Sequence, residues 1–93
     1  TTQGEKKAYV GKSALYTLTT TDNVVNATTG TWAATLPTAV SAAGQEYTIK
    51  NSGTGVITVG TTSSQTIDGS STQSLAQYES ITVISDGANW IIV

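Results

Sequence analysis

Turn signals interrupt this chain so often that no long element can form between them. Asp22-Asn23, residues 26–30, Pro37, Gly44, residues 51–55, residues 60–64, Asp68-Gly69 and residues 86–89 cut it into pieces too short for a stable helix. The pieces are rich in threonine, valine and isoleucine, whose branching at Cβ restricts χ1 and suits a pleated strand. Segments 15–19, 24–25, 32–36, 47–50, 56–59, 74–76, 81–84 and 90–93 read as strands. Short strands at roughly 8–12-residue spacing predict an all-β chain, folded as a small antiparallel β-sandwich or jelly roll. Residues 39–44 are the one place for a helical turn, and a parallel sheet built on crossover helices is excluded.

Within that plan, residues 47–50 and 56–59 are expected to form a hairpin across 51–55, and 81–84 to pair with 90–93 across 86–89. Trp32, Ala34 and Leu36 fall on one face, and Pro37 ends their strand because it has no N–H for a ladder. The closing segment, Trp90, Ile91, Ile92 and Val93, is apolar on both faces and is expected to be covered on both sides, as core or as the interface of a trimer. Self-association is expected because a domain of this size buries only roughly 60–65% of its unfolded surface, leaving a thin core. Cysteine and histidine are both absent. Disulfides and conventional zinc sites are thereby ruled out as supports, which leaves oligomerisation. Charged residues make up only 11% of the chain, so its polar surface is mostly hydroxyl and amide. No internal repeat of fixed period can be aligned.

The net charge is −2 and there is no arginine, so nucleic acid is excluded as a partner. The charge is uneven. Lys6, Lys7 and Lys12 against Glu5 give the first twelve residues +2, whereas Lys50 against Asp22, Glu46, Asp68, Glu79 and Asp86 gives the remainder −4. Residues 1–13 read as an extended N-terminal arm or short edge strand ahead of a single β domain over 14–93. Lys6, Lys7 and Lys12 are candidates for docking that arm on an acidic surface, and a solvated tail is the plainer alternative. Lys50 is expected to form an ion pair with Glu46 or Glu79. No apolar run reaches membrane-spanning length, and the N-terminus lacks the apolar core of a signal peptide. The chain starts at Thr1 and contains no methionine, which fits either an excised fragment or loss of an initiator methionine; we expect a complete small protein.

Without histidine or cysteine, Ser–His and Cys–His nucleophile arrangements cannot be built. Carboxylates remain, but Asp68 and Asp86 each precede a glycine, where turn geometry alone favours aspartate. No Asp-x-Asp-x-Asp-Gly calcium loop occurs. The expectation is a non-enzymatic chain with no catalytic residues, cofactor or metal. Six aromatics, Tyr9, Tyr16, Trp32, Tyr47, Tyr78 and Trp90, are the other candidates for function, as stacking platforms for sugar rings. In a thin core their first use is buried area, and Trp90 among aliphatic neighbours is the strongest such case.

One ordered string of motifs adds to this reading. Thr35-Leu36-Pro37-Thr38-Ala39, Gly44-Gln45-Glu46-Tyr47-Thr48-Ile49-Lys50-Asn51 and Gly53-Thr54-Gly55-Val56-Ile57-Thr58-Val59 are followed by Ile67-Asp68-Gly69, Ser74-Leu75, Tyr78-Glu79-Ser80-Ile81-Thr82-Val83 and Ser85-Asp86-Gly87-Ala88-Asn89-Trp90. Over residues 15–93 the string resembles the β-rich module of tailed-bacteriophage virion proteins, found in tail-fibre domains and in small head proteins. The resemblance implies a β-sandwich or jelly roll, commonly trimeric, and it carries over no catalytic position. The function expected, from the short chain and the arm that holds three of its four lysines, is a capsid decoration protein of the cement or head-fibre kind on the virion's outer surface. Such a protein would bind the major capsid protein or other virion proteins and stabilise the shell. The alternative is a receptor-binding or spacer domain of a tail fibre, with a host-surface glycan as partner.

Overall fold

The computed structural model describes residues 7–93, and every regular element in it is a strand. In chain order these are β1 (Tyr9–Lys12), β2 (Tyr16–Thr17), β3 (Val24–Ala27), β4 (Trp32–Thr35), β5 (Glu46–Asn51), β6 (Ile57–Gly60), β7 (Thr72–Leu75), β8 (Ser80–Ser85) and β9 (Trp90–Ile92). They make two sheets, one ordered β1-β3-β5-β8-β9 and the other β2-β4-β6-β7. Of the segment read as an arm or edge strand, Tyr9–Lys12 is the edge strand of the larger sheet. Residues 39–44 make two successive tight turns, closed by Ala42 N–H to Ala39 O and Gln45 N–H to Ala42 O, in place of a helical turn.

Both sheets are mixed, which corrects the antiparallel expectation. Pairs β1–β3, β3–β5, β2–β4 and β4–β6 are parallel; β5–β8, β6–β7 and β8–β9 are antiparallel. Parallel neighbours ordinarily need a long crossover. Here the second sheet supplies it: from β1 to β6 the chain alternates between sheets, and each return lands parallel to the strand it left. The rungs are unequal, since Tyr9 stands beside Val24 and Val24 beside Thr48. That inequality is why no fixed repeat marks them in the sequence.

The expected hairpin of residues 47–59 is therefore an arch. Ile49 pairs with Val25 and Ile81 in one sheet, while Ile57 pairs with Trp32 and Leu75 in the other. Asn51 makes the arch possible, because it falls on the inward phase of Tyr47 and Ile49 and is fully buried. Its amide donates to Gly55 O at 2.7 Å and Leu75 O at 2.9 Å, and its carbonyl accepts Gly53 N–H at 3.0 Å. The arch is stacked on the previous one. Ser52 N–H donates to Ala27 O at 2.8 Å, and a Cβ on Gly53 would lie 2.9 Å from the Thr29 Cα.

Alternation supplies the core. Val25, Tyr47, Ile49, Val83 and Trp90 from the larger sheet meet Ala34, Ile57, Val59 and Leu75 from the smaller, all but fully buried in one cluster. Tyr47 and Trp90 form its centre, with rings 5.5 Å apart and tilted by 59°. Ala34 and Leu36 are core and Trp32 packs against it, as the period-two reading places them. Two buried polar side chains pin the 36–45 loop to the core. Gln65 Oε1 accepts Ala39 N–H at 2.8 Å, and Ser85 Oγ donates to Ala39 O at 2.7 Å. The Asp68-Gly69 turn closes between Ile67 and Ser70, with both of its residues at positive φ (51° and 86°).

The Tyr16 hydroxyl donates to Asp22 Oδ2 at 2.6 Å. That hydrogen bond, then desolvation, then the Asp22 charge raise the Tyr16 pKa above 10.0. Burial, followed by the Asp22 charge, raises that of Tyr47. Raised folded values mean that the neutral phenols stabilise the fold fully below pH 10.0, with the contribution lost as pH rises through the folded pKa. Thermal melts should therefore show a falling midpoint above about pH 10. In Tyr16→Phe the decline should be shallower but still present, because Tyr47 remains; an unchanged slope would contradict this assignment.

Candidate functional surface

The described surface carries no pocket, so function is sought on its faces. The five described carboxylates have separate local partners. Asp22 accepts from Tyr16 and from Thr19 N–H, Glu79 from Ala76 N–H, and Asp68 from Ile92 N–H. Glu46 faces Lys7 at 3.8 Å. Asp86 caps its turn by accepting Asn89 and Ala88 N–H, and these bonds, Asn89 first, hold its carboxyl below the ordinary value. No two of these carboxylates share a partner.

Of the lysines expected to dock, the two described ones have separate neighbours. Lys6 lies outside the described residues. Lys7 is half exposed beside Glu46, and Lys12 Nζ stands 4.4 Å over the Tyr16 ring. Lys50 departs from the expected ion pair with Glu46 or Glu79. It donates to Tyr78 O at 2.7 Å, and its ammonium lies 5.8 Å from the centre of the Tyr78 ring.

The C-terminal segment divides in two. Trp90 is core at 1% exposure, whereas Ile91, Ile92 and Val93 are 40%, 37% and 66% exposed, so this strand is not covered on both sides within one chain. β8 and β9 pair as expected, placing Ile84 beside Ile91 on the outer face. Val93 N–H donates to Thr82 O, carrying Val93 onto the same patch. The far edge of β9 is already occupied. Trp90 N–H donates to Thr66 O, Asp68 N–H to Trp90 O, and Ile92 N–H to Asp68 Oδ1. Association at this corner must therefore use side chains rather than strand addition.

The six aromatics also divide. Tyr47 and Trp90 are buried, and Tyr16 and Trp32 pack against the core, Trp32 Nε1 donating to Thr29 O at 2.8 Å. Tyr9 and Tyr78 stand in solvent at 64% and 67% exposure. Both lie by the outer face of the larger sheet, and sequence reasoning did not separate them from the core tyrosines. Tyr78 carries one unusual sign, a φ of 68°, rarely adopted by a bulky residue. Two outer surfaces follow: an aliphatic corner at Ile84, Ile91 and Val93, and a polar-aromatic corner at Tyr9, Asn26, Lys50 and Tyr78.

No protein-family model, curated protein or solved structure matches this chain.

Proposed function

We propose that the chain is a non-enzymatic structural protein of a tailed-phage virion, a decoration protein that binds the outer capsid surface as a homotrimer. The ordered motif string over residues 15–93 and its all-β, two-sheet fold support the virion reading. The observation that carries self-assembly is the aliphatic corner. In a chain with 11% charged residues, the outward-facing Ile84, Ile91 and Val93 form an apolar patch that another subunit would cover. The basic segment bearing Lys6, Lys7 and Lys12 is the part that docks on the shell, against acidic groups of the major capsid protein.

Removing residues 1–12 would remove β1, whose Val10 packs against the core, so docking is better tested by charge alone. Combined Lys6→Gln, Lys7→Gln and Lys12→Gln keeps the strand. Co-sedimentation with phage shells should weaken by about tenfold, the sum of three modest ion pairs, with the melting midpoint almost unchanged. Undiminished co-sedimentation would contradict docking through this segment. A second reading, a receptor-binding or spacer domain of a tail fibre, is favoured by the two exposed tyrosines of the polar-aromatic corner.

A further inference from the structure

Gly11, Asn26, Lys50 and Ser80 form one row across the larger sheet. Asn26 and Lys50 are half-buried on adjacent strands, about 5 Å apart along the ladder. Tyr9, two residues before Gly11 and hence on the same face, places its Oη to accept Asn26 Nδ2–H at 3.1 Å. Tyr78 closes the other side, with Lys50 bonded to its carbonyl and standing near its ring. Two exposed rings thus flank a polar floor.

Two independent features mark this floor as a binding site. The first is Tyr78 itself. Its backbone is needed, because its N–H donates to Asn51 O at 2.5 Å, but glycine would supply that bond without a side chain opposing the positive φ. An exposed tyrosine held there is unexplained by the fold, and strained positions concentrate where a side chain is used. The second is the hydrogen-bond balance. Asn26 Oδ1 is already taken by Ser52 Oγ–H at 2.6 Å, and Tyr9 Oη already accepts from Asn26. What remains is one Asn26 N–H, the Tyr9 O–H and two N–H of the Lys50 ammonium, mainly donors. Lys50 meets no carboxylate among the described residues.

A donor-rich floor with one cation selects an oxyanion, and a carboxylate satisfies several donors at once. Flanking tyrosines offer an apolar ring face together with a hydroxyl, which suits the C–H face of a pyranose. We infer that Tyr9, Asn26, Lys50 and Tyr78 bind an acidic sugar, a uronic- or sialic-type residue of a glycan. The platform is open and flat, so one copy binds weakly and several copies on one assembly bind by avidity. This site does not depend on capsid attachment, and its test uses no capsid.

The test is a titration of the ¹⁵N-labelled protein, followed by amide chemical shifts. The probes are a glucuronic acid disaccharide, its neutral glucose counterpart and acetate. The acidic disaccharide should shift amides around Asn26, Lys50 and Tyr78 saturably at millimolar concentration, and the other two should bind about tenfold more weakly, the loss expected for a charge-assisted hydrogen bond or for the ring contact. Lys50→Gln and Tyr78→Gly should each weaken binding by about tenfold. Tyr78→Gly should melt no lower than the parent, so its loss cannot be unfolding. Absence of saturable shifts, equal binding of the neutral sugar, acetate binding as tightly as the disaccharide, or full binding by Tyr78→Gly would each overturn the inference.

Discussion

Asn51→Ala is expected to destabilise the protein by about 3–5 kcal/mol, the largest effect of any single polar substitution in the chain. Three partners lose their hydrogen bonds together, the buried Leu75 O and Gly53 N–H and the part-buried Gly55 O. Each orphaned group costs about 1–3 kcal/mol, and water reaching part of the arch recovers some of it. Against a total stability of about 5–14 kcal/mol for a domain of this length, that is a large fraction. Urea unfolding followed by the fluorescence of buried Trp90 measures it. Asn51→Asp sharpens the test. It keeps the acceptor for Gly53 N–H but turns a second oxygen toward two carbonyls, so it should be at least as damaging at pH 7. Part of the loss should return at low pH, where a protonated carboxyl regains one donor. A change under about 1 kcal/mol for Asn51→Ala would mean that the arch is not held by this side chain.

Gly55→Ala is expected to cost about 3 kcal/mol or more, because the obstacle to a side chain there is backbone. A Cβ on Gly55 would meet Thr31 Oγ1 and would lie 2.5 Å from Gly30 O and 2.7 Å from Gly30 C. The hydroxyl can rotate away, whereas the Gly30 peptide belongs to the arch beneath and moves only if β4 moves. Gly60→Ala is the matched control. Nothing lies within 4 Å of its Cβ, and it should be neutral or stabilising by about 0.5 kcal/mol through the unfolded chain. Equal melting midpoints for the two variants would contradict close stacking of the arches.

The sequence made the strands legible but left their partners hidden. Trp32, Ala34 and Leu36 alternate in sequence and share the core face, and the β8–β9 hairpin follows from its Asp86-to-Asn89 turn. The 47–59 segment was misread because a hairpin and an arch share a signature, two alternating strands with glycines between them. One residue distinguishes them. Asn51 continues the inward phase of Tyr47 and Ile49, so the chain enters its turn facing the core instead of lying flat in a sheet. Parallel pairing was missed for a related reason, since the crossover expected of a helix is supplied here by the opposite sheet. Tyr9 and Tyr78 could not be told from Tyr47 by their neighbours in sequence, because their exposure is set by strand order and by the positive φ at residue 78. The apolar run at the C-terminus was legible as such, but one chain covers only its Trp90.

The measurement that tests the account most directly is the solution mass of the purified chain, by light scattering coupled to size exclusion. The proposed trimeric decoration protein, assembled through the aliphatic corner at Ile84, Ile91 and Val93, should run at three times the 9.5 kDa chain mass, falling to a single chain in Ile91→Glu, whose side chain lies on the outer face and not in the core. A parent protein that stays at 9.5 kDa into the micromolar range would contradict assembly through this corner and the trimeric decoration protein built on it.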